Sequence, residues 1–149
     1  MPALYTIGYE KTTIDAVLAT LLEHNIKTVI DVRRNPISRK AGFSKKQFAQ
    51  HLHDQQIKYE HLVELGAPRE LRQQFKSDGD LAAYFAQFDR YLHDNAHLLD
   101  SLVSKIKHER CVLVCFERDY QQCHRSLIAD HLKIIIPNLD VIHVSVAGD

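Results

Sequence analysis

Val112-Leu-Val-Cys115-Phe-Glu117-Arg-Asp-Tyr-Gln-Gln-Cys123-His124-Arg125-Ser-Leu-Ile-Ala129 is the stretch whose reading decides the fold. It opens on a run of apolar and β-branched residues, the composition of a strand buried on both faces. It closes on a segment with Leu127, Ile128, Leu132 and Ile135 at helical spacing. Between strand and helix lie two thiols, a carboxylate, an imidazole and a guanidinium. A strand that empties through a polar loop into a helix N-terminus is where α/β folds place their chemistry.

Working outward, the same alternation recurs. Leu4-Tyr-Thr-Ile7 reads as a strand closed by Gly8, and Thr12-Thr-Ile-Asp15 caps a helix carrying Ile14, Val17, Leu18, Leu21 and Leu22. Asn25 supplies a left-handed stop, and Thr28-Val-Ile-Asp-Val32 is the next strand. Such a strand-helix-strand unit implies a parallel pair with a right-handed crossover. Ser44-Lys-Lys-Gln47 has the capping-box pattern of a helix running to about Gln55, with Phe48 and Leu52 as its apolar stripe. Ile57 to His61 is a short third strand, and Leu65-Gly66-Ala-Pro68 breaks the chain. Residues 69–79 are weakly patterned and predict a loop or irregular helix. From Leu81 the helical period is strong, with a break at Asp94-Asn-Ala96. Val141 to Val146 alternates like a half-buried edge strand.

These elements predict an α/β fold: one compact domain over residues 1–149, with a mostly parallel sheet of about five strands covered by helices on both faces. The length suits one domain that buries roughly two-thirds of its unfolded surface. Hydrophobic and charged fractions of 45% and 26% are those of an ordinary globule, and a formal net charge of zero singles out no partner. No window approaches a membrane span, and the first residues lack the basic and apolar regions of a secretory leader. With three unevenly spaced cysteines, the expectation is a cytoplasmic protein with reduced thiols and no membrane association.

Parallel topology brings the C-terminal strand ends to one rim, so Tyr9, Asp31, Arg33, Cys115 and Glu117 are expected around one crevice. Asp31 and Glu117 are candidate general bases, and Arg33 and Arg39 candidate anion holders; the competing reading of Asp31 and Arg33 is a structural ion pair. Cys123, His124 and Arg125 fall at the first turn of the last helix, where the helix field favours anions and lowers a thiol's pKa. Cys123 is then either a reactive thiolate or a small packed residue, and Arg125 either an anion clamp or the partner of Glu117 or Asp31. Zinc on Cys115, Cys123 and His124 would need His61 or Glu117 to complete the set. The spacing lacks a close cysteine pair, and adjacent residues rarely share one metal, so no metal and no cofactor are expected.

Several of these motifs occur together in one known family. Tyr5-Thr-Ile-Gly-Tyr9, Val29-Ile-Asp-Val-Arg33 with Pro36-Ile-Ser-Arg39, Tyr59 through Glu64-Leu-Gly66, and Leu113-Val-Cys-Phe-Glu117 followed by Cys123-His-Arg125 resemble the bacterial and archaeal family catalogued as domain of unknown function 488. The resemblance runs from Leu4 to about Leu132 and implies a compact α/β domain with functional residues clustered at those positions. Where family members commonly carry histidine after Thr-Ile-Gly, this chain has Tyr9. A weaker likeness to rhodanese and cysteine-phosphatase sites stops at the loop. Nine residues separate Cys115 from Arg125, and none is glycine.

Three functions are therefore in view. One is a small enzyme acting on a phosphate-bearing or nucleotide-like ligand at the sheet rim, with Asp31, Glu117, Cys123 and His124 as the chemical groups and Tyr9, Arg33, Arg39, Cys115 and Arg125 as ligand contacts. A second is a non-catalytic module binding nucleic acid or another anion through the basic segment from Arg33 to Lys46. A third is a thiol-redox protein using Cys115 and Cys123.

Overall fold

Strand β4 (Cys111–Cys115) is buried at every residue, because it lies between two parallel neighbours and is covered on both faces. The computed structural model describes residues 2–146, and it bears out the α/β architecture. The other strands are β1 (Ala3–Gly8), β2 (Thr28–Asp31), β3 (Lys58–His61) and β5 (Asp140–Val144), in the sheet order β3-β2-β4-β1-β5, with all pairings parallel. Six helices connect them: α1 (Ile14–Glu23), α2 (Lys45–Asp54), α3 (Arg69–Asp78), α4 (Leu81–Asp94), α5 (Asp100–His108) and α6 (Arg125–Ile135). None of the described helices is long and apolar enough to cross a membrane.

Side-chain alternation along each strand sorts the core into two halves. Tyr5, Ile7, Val29, Val112 and Val114 pack with Val17, Leu18 and Leu21 of α1 and Phe48 and Leu52 of α2. Leu4, Ile30, Cys111, Leu113 and Cys115 pack with Phe88 and Leu92 of α4, Leu102 and Ile106 of α5, and Ile128, Ala129 and Leu132 of α6. The chain thus moves across the sheet from β1 to β2 to β3 with helices on one face, then returns through β4 to β5 with helices on the other. Right-handed crossovers require that pairing of direction and face. At the C-terminal rim the loop from β4 therefore departs to one face, while those from β2 and β1 depart to the other. A crevice opens where they part.

Local details refine the sequence reading. Thr13, rather than Thr12, caps α1 by accepting from Ala16 N at 3.2 Å, and Asn25 takes the left-handed conformation with φ 57°. The capping box expected at α2 does not form. Ser44 instead bonds Ser38, and Gln47 Oε1 accepts from Gly42 N, so both side chains tie down the basic loop. Residues 69–78 form a regular helix, stopped by Gly79 in the left-handed region. Its weak pattern has a physical cause: α3 buries no residue fully and holds on through half-buried Leu71 and Phe75, the latter stacked on Tyr84 at 4.9 Å between centroids.

Candidate functional site

Asp31 ends β2 with its carboxylate fully buried, and it holds Arg33 in a two-pronged pair. Arg33 Nε donates to Oδ1 at 2.9 Å and Nη2 to Oδ2 at 2.8 Å, the planar fork that suits a carboxylate. Tyr59 adds an O–H to Oδ2 at 2.6 Å, and Arg33 Nη1 donates to Tyr9 Oη at 2.9 Å and Phe43 O at 2.7 Å. Burial alone would lower the pKa of Arg33, but the bonds and charge of Asp31 outweigh it and hold it above the ordinary value. Burial raises both Tyr9 and Tyr59, so these hydroxyls stay protonated. This is a buried network whose members satisfy one another.

Arg125 is equally enclosed, at 1% exposure. Its Nε donates to Thr6 Oγ1 at 3.2 Å, Nη1 to Glu117 O at 2.5 Å and Nη2 to Arg118 O at 3.4 Å. It braces the β4–α6 loop against β1. The same Glu117 carbonyl lies so close to Gly8 that a Cβ there would sit 1.8 Å from its oxygen, so β1 must end in a residue without a side chain. Gly66 is required likewise, since a Cβ would fall 2.2 Å from Arg34 N.

Beside this brace, Cys115, Cys123 and His124 converge, with one ligand atom from each lying within 4.8 Å of the others. His124 Nδ1 is 3.8 Å from each sulfur, and its Nε2 donates to Val32 O at 2.8 Å. Cys115 Sγ approaches Glu117 Oε2 at 3.5 Å. The local backbone explains the convergence. Cys123 is extended (φ −120°, ψ 140°) and His124 already helical (φ −59°, ψ −20°), so the chain turns between two adjacent side chains. The imidazole meets the Phe88 ring in a T-shaped contact, 5.1 Å between centroids.

Close packing of these groups sets their protonation. The bond with Cys123, then burial, pushes the Cys115 thiol well up. Burial opposes ionisation of Cys123, but its bonds to Cys115 and His124 and the charge of His124 outweigh that and draw it well below the usual thiol value. Burial would lower His124, but the neighbouring Cys123 charge raises it instead. Burial, followed by the charge on Cys123, lifts Glu117 to about 7.

Above the cluster opens a cavity of about 670 Å³ at the C-terminal rim. Tyr9, Arg33, Cys115, Glu117 and His124 line it, together with the cations Arg34, Arg39, Lys40 and Arg72 and the rings of Phe75, Tyr84 and Phe116. Six of the expected site residues (Tyr9, Arg33, Arg39, Cys115, Glu117 and His124) thus share one wall. Cys123 lies behind it, beside Cys115 and His124. Asp31 and Arg125 are not among the lining residues, and their polar atoms are held within the fold. Arg72, Phe75 and Tyr84 went unnoticed in the sequence because α3 is weakly patterned and nothing in the helical period from Leu81 sets Tyr84 apart.

A family model described as domain of unknown function DUF488 matches residues 13–132. The chain belongs to this family. The DUF488 match spans α1 to most of α6, so it includes the basic loop, Gly66, and the cysteines and histidine of the cluster; β1, with its Thr-Ile-Gly, precedes it. No curated protein and no solved structure matches the chain.

Proposed function

We propose that the protein is a small enzyme that binds a phosphate-bearing, nucleotide-like molecule in the rim cavity, with Cys115, Glu117 and His124 facing the reacting part of that molecule. The observation that carries the reading is Arg34. Its Nε is buried, and no group of the described residues accepts from it. A buried unsatisfied donor costs about 1–3 kcal/mol, which an anionic oxygen would recover. Arg39, Lys40 and Arg72 line the same cavity, and among the described residues none of these four cations pairs with a carboxylate. Glu117 is the one acid of the lining. The facing rings offer a flat apolar surface for a base or other aromatic group, and the volume falls in the range of small-ligand sites.

The nucleic-acid module fares less well on placement. Lys45 and Lys46 belong to α2 and are absent from the cavity wall, so the basic segment divides between a concave site and a helix surface. The redox reading loses support from burial, since Cys115 is 5% and Cys123 1% exposed.

Calorimetric titration of inorganic phosphate and mononucleotides into wild type and Arg34→Ala tests the reading. One charge-assisted contact contributes roughly 1.5–3 kcal/mol. The variant is expected to bind about one to two orders of magnitude more weakly. Equal affinity in the two proteins, or no binding by either, would defeat it. Tight binding of long single strands with a steep salt dependence, and none of mononucleotides, would favour the module instead.

A further inference from the structure

We propose that Cys115, Cys123 and His124 Nδ1 hold a zinc ion at the floor of the cavity, with the fourth coordination position turned toward Glu117. The placement of that position beside a bound molecule rests on the reading above; the ion itself does not.

The argument begins with distances. In a tetrahedral site, zinc–sulfur and zinc–nitrogen bonds of about 2.3 Å and 2.0 Å put neighbouring ligand atoms roughly 3.5–3.8 Å apart. The two sulfur–Nδ1 separations are each 3.8 Å. The second cysteine sulfur falls inside the same 4.8 Å envelope. Ligand atoms thus stand close to zinc-site spacing without any displacement of the backbone.

The shell behind the ligands fits as well. Histidines that ligate metals usually donate the other ring N–H to a carbonyl or carboxylate, which fixes the tautomer and aims the lone pair. His124 does this through Nε2–H to Val32 O at 2.8 Å, leaving Nδ1 directed at both sulfurs. The adjacency of Cys123 and His124, unfavourable on sequence spacing, is resolved by the extended-to-helical turn between them. Two soft sulfurs and an imidazole select zinc over magnesium or calcium, which take oxygen ligands. Charge also balances: two thiolates offset the dication. Binding releases to solvent whatever protons the ligand atoms carry.

Three protein ligands with an open position are the arrangement of catalytic rather than structural zinc. Cys115 and His124 line the cavity and Cys123 lies behind them, so a water on the open position would face the guest with Glu117 beside it.

The test uses the full-length protein, purified without chelators under reducing conditions. Elemental analysis is expected to find one zinc per chain. Cobalt(II) added to the reduced, zinc-stripped protein should give thiolate-to-metal charge transfer and the intense visible absorption of tetrahedral cobalt. Cys115→Ser should weaken the charge-transfer band, and Glu117→Gln should retain it. Wild-type protein that is folded by circular dichroism, yet carries no zinc and gives no sulfur–cobalt absorption, would overturn the proposal. So would a Cys115–Cys123 disulfide that, once reduced, leaves a protein indifferent to both metals. Phosphate and mononucleotide titrations of the loaded and stripped forms keep the two ideas apart: binding without metal uptake sinks only the zinc site, and metal uptake without binding sinks only the anion reading.

Discussion

Asp31→Ala is expected to lower the unfolding free energy by about 3–5 kcal/mol, because it strands a buried guanidinium without its counter-charge. Arg33 would keep Tyr9 Oη and Phe43 O as acceptors, but both are neutral. Tyr59 would lose its acceptor in the same step. Urea denaturation followed by circular dichroism measures the change. A loss under about 1 kcal/mol would mean that the pair behaves like an exposed one, where screening and side-chain entropy cancel most of the attraction. Replacing Asp31 and Arg33 together by apolar residues should cost less than the single change, since no charge is then left unpaired.

Arg125→Ala is expected to cost about 3–4 kcal/mol, from the carbonyls and hydroxyl it leaves unsatisfied and the space it vacates. Arg125→Lys should recover little, because one ammonium cannot reach Thr6, Glu117 and Arg118 as the planar fork does. Thermal unfolding of the three proteins checks this. If Arg125→Ala left the melting temperature unchanged and removed only ligand binding, Arg125 would be a contact to the ligand and not a brace. The contrast with Arg34→Ala is then diagnostic: binding should fall there without a comparable loss of stability.

Much of the fold can be read from periodicity. Five apolar runs separated by helical patterns lead to a parallel sheet, and the sheet then gathers strand ends that are far apart in sequence. That is how Tyr9, Arg33, Cys115, Glu117 and His124 come to line one cavity. The fate of Asp31 and Arg125 is less visible, because charge alone does not say whether a side chain faces solvent or the interior. Arg125 did carry a signal. It stands at the head of the stripe Arg125, Ile128, Ala129 and Leu132, three, four and seven residues apart, which is the buried side of α6. Leu127 and Ile135, taken as part of that stripe from hydrophobicity, are half-buried and exposed. For Asp31 the decisive partner, Tyr59, comes from the neighbouring strand, and pairing registers are not written in one strand alone. The cluster of sulfurs and imidazole, weighed in the sequence as a zinc set, is set aside there for a related reason. Sequence spacing measures separation along the chain, and a single change of backbone conformation at Cys123 folds that separation back on itself.

Parallel sheets end in carbonyl groups, and a row of bare lone pairs at that rim would repel an anion. Here four carbonyls of the rim loops already accept from side chains. Val32 O accepts from His124, Arg33 O from His61 at 2.7 Å, Phe43 O from Arg33 and Glu117 O from Arg125. Three of the four donors come from side chains outside the carbonyl's own loop, and Arg33 reaches Phe43 within one loop. Apart from the Glu117 carboxylate, a guest entering the cavity therefore meets mainly hydrogen-bond donors and ring faces, while these four peptide dipoles have their negative ends turned to interior use. On the anion reading proposed above, a preference of the rim for negative charge would rest on the covering of its own backbone as much as on the arginines that stand around it.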